Sequence, residues 1–180
     1  MSRDDYAREI IAEGRRRGIS VRGIKIALST ALVESNLKNY ANTKVPESLR
    51  IPHDAVGSDG FSVGVFQQQV VMGANGWWWG DAATCMNVTL AAGLFYDRLS
   101  RMDYNSNRQS PGLYAADVQQ PDERYRSRYD ERMGEASALY DRLAGAAPGP
   151  SPLRQNVDLA LRRFRERLGN PYVYGGMWSK

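Results

Sequence analysis

The sequence predicts a mainly α-helical domain carrying one small β-hairpin. Three observations lead there. Apolar residues recur at three- and four-residue spacing through most of the first 143 positions, the repeat of an amphipathic helix. Only residues 61–71 concentrate β-branched and aromatic types. The chain of 180 residues, 42% hydrophobic and 24% charged, suits one globular domain of about 100–150 residues plus an appendage.

The elements follow in order. Residues 4–17 set Tyr6, Ile10 and Ile11 among charges, which makes a surface helix, ended by Gly18. Ser20 is an N-cap for residues 21–37, where Ile24, Ile26, Ala27, Leu28, Ala31, Leu32 and Val33 make a helix apolar nearly all round. That helix is expected at the centre of the domain. Residues 38–60, with Asn39, Asn42, Pro46, Pro52, Gly57 and Gly60, read as loop. Residues 61–71 then form the hairpin.

Trp77, Trp78 and Trp79 come next, and three consecutive side chains cannot all face one way, so at least one belongs to the core. Asp81 caps a helix running to about Met102, with Cys85, Val88, Ala92, Phe95 and Leu99 on one face. Ser110 and Pro111 open a short helix through about Gln119. Pro121 precedes a long helix to Leu143, in which Tyr125, Tyr129, Met133, Ala136, Tyr140 and Leu143 keep helical spacing and read as packing residues. These elements make residues 1–143 one domain. Residues 144–152 (AGAAPGPSP) are a linker, and residues 153–168 a last amphipathic helix.

Composition narrows the chemistry. With one cysteine, Cys85, there is no internal disulfide framework. With His53 as the sole histidine, a zinc site of four nitrogen or sulfur ligands is excluded within one chain, and no metal or cofactor is expected. A nucleophilic dyad would have to use His53, which sits between Pro52 and Asp54 as a surface residue. Carboxylates, hydroxyls, amides and aromatics remain. The net charge of +4 suits an anionic polymer, nucleic acid or cell-wall glycan, but no helix clusters base-reading residues, so nucleic acid is not expected. The Arg15–Arg17 run reads as a solvated helix face. No apolar run is long enough to span a membrane, and Met1 to Asp5 lead into a charged helix rather than a signal region.

Glu34 is the most unusual placement. It lies near the C-terminal end of the most apolar helix, three residues after Ala31 and seven after Ala27, which turns it toward the packed side. Burial and the negative end of the helix dipole both disfavour its charged form. A general acid needs that upward shift. The same spacing also fits a glutamate turned to solvent at a fraying end. In the segment 62–68, Gly64 points to close backbone approach, and Gln67 and Gln68 offer amides that donate and accept.

Glu34-Ser35 at the end of an apolar helix, then Ser62-x-Gly64-Val65-Phe66-Gln67 after a loop, resembles the lysozyme-like superfamily of soluble lytic transglycosylases and goose-type lysozymes. The run from Ala27 to Leu37, the run from Tyr114 to Gln119 and the run from Pro121 to Tyr125 are similar to its actinobacterial and actinophage branch, above all to endolysins and tail-associated lysins of mycobacteriophages. The resemblance covers residues 20–143. It implies a lysozyme-like fold with the hairpin beside an active-site cleft. It also implies peptidoglycan glycan strands as the partner of a monomer that acts on the wall after release from the host cytoplasm, or is carried in the virion. Glu34 takes the general-acid role and Ser35 braces the site. Gln67 and Gln68 line the cleft with Gln119 opposite. Ser62 and Tyr125, within the matching runs, are further candidate substrate contacts. Trp78 is one on separate grounds, since an amphipathic aromatic face suits stacking on sugar rings. Phe61 departs from the pattern, standing where relatives carry an acid; Asp59 is the candidate for that role.

Two chemistries stay open. Inverting hydrolysis needs a second carboxylate about 6.5–9.5 Å from the first. Asp59, Asp54 and Glu47 are candidates for it. Otherwise Glu34 acts as acid and then as base on the muramoyl 6-hydroxyl, giving a 1,6-anhydro product. The expectation is a muramidase cleaving the β-1,4 MurNAc–GlcNAc bond; a lytic transglycosylase and a non-catalytic wall-binding module are the alternatives. Residues 153–180, ending in the run Asn170 to Gly176, resemble the opening of an NlpC-type, papain-like endopeptidase, without that family's catalytic Cys and His. They are expected to be the truncated start of such a domain.

Overall fold

The computed structural model describes residues 1–73 and 78–145. The class is mainly α, as expected. Helix α1 (Arg3–Arg16) starts at a capping box. Ser2 Oγ accepts from the Asp5 N–H at 3.2 Å, and the Asp5 carboxylate accepts from the Ser2 N–H at 2.9 Å. Gly18, with φ +70°, turns the chain out of the helix. Ser20 then accepts from the Gly23 N–H and opens α2 (Val21–Ser35).

Helix α2 is the central element. Ile24, Ile26, Ala27, Leu28, Ala31 and Leu32 are all buried. It ends where Asn36 and Leu37 take left-handed φ values of 54° and 57°, their N–H groups returning to Leu32 and Ala31 carbonyls. The Asn36 side chain fixes that end by accepting from Arg3 and Arg132, each at 2.9 Å.

Residues 38–60 hold more order than a loop. β1 (Tyr40–Asn42) and β2 (Ala55–Gly57) pair in parallel, with Tyr40 opposite Ala55, and a 3-10 turn spans Pro46–Arg50 between them. Polar side chains organise this region. Ser48 Oγ accepts from the Asn42 N–H at 2.9 Å, and Asn42 Nδ2 donates to the Asp59 and Ser62 carbonyls at 3.0 Å each. The expected hairpin is present as antiparallel β3 (Ser62–Val63) and β4 (Gln68–Gln69).

Two expected helices are interrupted. The helix placed over 81–102 is α3 (Ala82–Met86) and α4 (Val88–Leu99), separated by Asn87, which is extended and caps α4 by accepting from the Leu90 N–H. α5 (Pro111–Gln119) is as expected. The long helix placed over 121–143 is a 3-10 turn at Glu123–Tyr125, then α6 (Arg128–Glu131) and α7 (Met133–Leu143). Tertiary bonds hold α6 out of line. Ser29 Oγ donates to the Tyr129 carbonyl at 2.5 Å, and Asp130 accepts from the Gly112 N–H at 2.7 Å and from the Ser110 hydroxyl.

The core runs from α1 through α2 to α4. Phe66 of the hairpin stacks on Phe95 at 5.4 Å, and buried Tyr96 donates to the Ile10 carbonyl at 2.9 Å. Burying one such aromatic ring is worth about 1.5–3 kcal/mol, so Phe66 anchors the hairpin firmly. Among the described residues, no helix is long and apolar enough to cross a membrane. Trp77, the part of the expected linker beyond residue 145 and the segment 153–180, expected to open an endopeptidase domain, lie outside the described residues.

Candidate active site

Glu34 stands half-buried in the last turn of α2, where α5, α6 and the hairpin turn converge. The Tyr129 hydroxyl donates to its carboxylate, and the Gln119 side chain also favours its charged form. Burial outweighs both and raises the Glu34 pKa above the ordinary carboxylate range. Among the described residues, no charged side chain contributes to that shift. The carboxyl group therefore sits among neutral donors, protonated more readily than a surface glutamate.

The turn between β3 and β4 is built against this group. Gly64 has φ +78°, and a Cβ there would collide with the Cys85 carbonyl oxygen, so only glycine fits. Its N–H donates to the Tyr40 carbonyl at 2.8 Å. Two consecutive turn carbonyls are then taken by residues flanking the glutamate. Ser35 Oγ donates to Val65 O at 2.7 Å, and Gln119 Nε2 donates to Phe66 O at 2.8 Å. Gln67, with φ 46°, donates from Nε2 to Gly64 O at 2.9 Å and remains partly exposed.

The structure thus joins Glu34, Ser35, Gln119 and the Gly64–Gln67 turn into one network. It corrects other expectations. Gln68 does not line a cleft. It is fully buried and donates to the Ala91 carbonyl at 3.1 Å as the first residue of β4, whereas Gln67 is the last residue of the turn, has a left-handed φ and stays partly exposed. Ser35, expected to brace the site, is not among the corrections: it is buried with its hydroxyl committed to backbone. Asp54 is no free second acid. Its carboxylate accepts from the Asn39 N–H at 2.8 Å, and the neighbouring Tyr6 phenol is pushed up by burial and then by a hydrogen bond to Asp54.

Asp59 is exposed on the loop before β3, and Glu47 is exposed on the 3-10 turn. Ser62 is half-buried in β3, its carbonyl held by Asn42. Trp78 is 43% exposed and donates from Nε1 to the Val70 carbonyl at 3.1 Å. Trp79 is the tryptophan that joins the core, buried beneath the Arg98 guanidinium at 3.4 Å. Tyr125 is exposed and stacks with Arg124 and Arg128. His53 is at the surface, and Cys85 is a core residue whose thiol burial pushes up to about 12.

Tyr129 is the site residue that sequence reasoning missed. Its place in a three-four aromatic series reads as packing, and it is buried, yet its hydroxyl reaches the one unusual carboxylate. Burial, then the nearby Glu34, hold the phenol well above its ordinary range, so it stays a donor. Among the described residues, no cluster of His, Cys, Asp or Glu has the makings of a metal site. Compared with known proteins, the chain matches no protein-family model and no curated sequence.

Proposed function

We propose that this chain is a lysozyme-like glycosidase of the phage-lysin type, cleaving the β-1,4 MurNAc–GlcNAc bond of peptidoglycan with Glu34 as general acid. The observation that carries the reading is the Glu34 carboxyl, raised by burial and held by the Tyr129 hydroxyl beside a turn pinned by Ser35 and Gln119. A carboxyl group whose neutral form is favoured by its surroundings is what donation to a glycosidic oxygen requires. Once the proton has left, Tyr129 and Gln119 stabilise the resulting carboxylate. In hydrolysis, the bond from the muramoyl anomeric carbon to the protonated GlcNAc oxygen breaks. Water adds to that carbon and gives up a proton to a carboxylate base, and the product is a reducing sugar.

One observation favours the second chemistry. Among the described residues, no charged side chain shifts Glu34, and Asp54 accepts from the Asn39 N–H. A glutamate working without a second carboxylate suits attack by the muramoyl 6-hydroxyl, with Glu34 taking that proton back as base and a 1,6-anhydro sugar as product. Digesting purified peptidoglycan and weighing the released muropeptides tests both. Reducing muropeptides identify the muramidase, and species lighter by one water identify the transglycosylase. Absence of both from an extensively treated wall overturns the enzymatic reading and leaves a wall-binding module.

A further inference from the structure

The segment following α5 carries arginines at 124, 126, 128 and 132. Three of them are spoken for. Arg124 pairs with Asp122 at 2.9 Å, Arg126 with Asp117 at 2.5 Å, and Arg132 with Glu135 at 2.9 Å. Arg128 is exposed and has no ion pair or side-chain hydrogen bond among the described residues. Instead its guanidinium lies 4.2 Å from the centroid of the Tyr125 ring. Stacking of this kind orients the planar group while leaving its N–H donors open to a planar, two-oxygen acceptor. The pair is also well placed. Arg128 immediately precedes Tyr129, and its charge is felt at the Tyr129 phenol that touches Glu34.

We propose that Arg128, held on the Tyr125 ring, binds a carboxylate of the substrate. The inference rests on the glycan-cleaving reading for its substrate class: the sugar backbone is neutral, whereas muramoyl residues bring carboxylates, either on the stem peptide or, where that peptide is absent, on the lactyl group. Tyr125 is accordingly a positioning residue for Arg128. Arg128 contributes selectivity for muramoyl-rich strands over uncharged polysaccharide.

The test is a two-by-two binding cycle on the Glu34→Gln protein, which on the glycan-cleaving reading should hold glycan without cutting it. Soluble glycan chains bearing native stem peptides are compared with the same chains after carbodiimide amidation, using Arg128 and the Arg128→Gln variant. Removing either partner should weaken binding about tenfold, and removing both should cost no more than removing one. Arg128→Lys should recover part of the loss, and the coupling should shrink as salt rises. Peptide-free chains separate the sources: a coupling that persists on them assigns the lactyl carboxylate, and its loss assigns the stem peptide. Independent, additive losses, or no binding by any pair, overturn the proposal. Cleavage by the protein with Glu34 intact is read separately. Cleavage without coupling sinks this inference alone, and coupling without cleavage sinks the catalytic reading alone.

Discussion

The Tyr129 hydroxyl donates a hydrogen bond to the Glu34 carboxylate, linking α6 to the last turn of α2 across 95 positions of sequence. That bond favours the charged form and so restrains the upward shift that burial imposes. Tyr129→Phe removes it. The Glu34 pKa should rise further, moving the alkaline limb of the pH–rate profile to higher pH, because the acid stays protonated longer. Loss of orientation should lower kcat about tenfold. An unmoved alkaline limb would show that the hydroxyl does not act on Glu34.

The same carboxyl should weaken the fold at neutral pH. Its folded pKa lies above the unfolded value, so its contribution to stability is whole below the unfolded value, about 4.3, and is lost as pH rises through the folded one. Glu34→Gln keeps the group neutral throughout. The variant should therefore melt at or above the wild-type temperature at pH about 7, with its advantage shrinking toward pH about 4. Melting curves across that range check it, and a variant less stable at neutral pH than at acidic pH, relative to wild type, contradicts it.

Two glycines should respond in opposite ways to the same substitution. Gly64→Ala places a methyl against the Cys85 carbonyl at a left-handed φ of 78°, and should cost about 2–4 kcal/mol. Gly134→Ala, in the exposed first turn of α7 with open space around it, should gain about 0.5 kcal/mol. Urea titration of both variants decides. Equal effects would mean that the hairpin turn is not wedged against α3.

Gln67 and Gln68 are adjacent in sequence but belong to different environments. Gln68→Leu exchanges a buried amide whose Oε1 lacks a partner for a hydrocarbon of similar size. Its stability should stay within about 1 kcal/mol of wild type, and cleavage should be unchanged. A large fall in activity at unchanged stability would return Gln68 to the cleft.

These contrasts mark what local sequence could express. Caps and stops are local, so Ser20, Asp81, Pro111 and Gly18 announce their boundaries, and the hairpin and the inward turn of Glu34 follow from short-range pattern. The break at Asn87 is hidden because the apolar spacing continues across it. The interruption around α6 depends on Ser29 reaching Tyr129, 100 positions away, and on Asp130 reaching Gly112, 18 positions away. The β1–β2 pair was illegible for a similar reason. Three-residue strands carry no readable alternation, and side-chain bonds from Asn42 and Ser48 organise them. Tyr129 shows the remaining limit, since helical spacing is the same whether a tyrosine only packs or also presents its hydroxyl.

The central claim is that Glu34 donates the proton that breaks the glycan strand. Purified peptidoglycan incubated with wild type and with Glu34→Gln, at matched folded concentrations, tests it by the number of new glycan chain ends released. Wild type should generate ends steadily, and the variant should do so more slowly by a factor on the order of 10²–10⁴. Equal release by the two proteins would contradict the account.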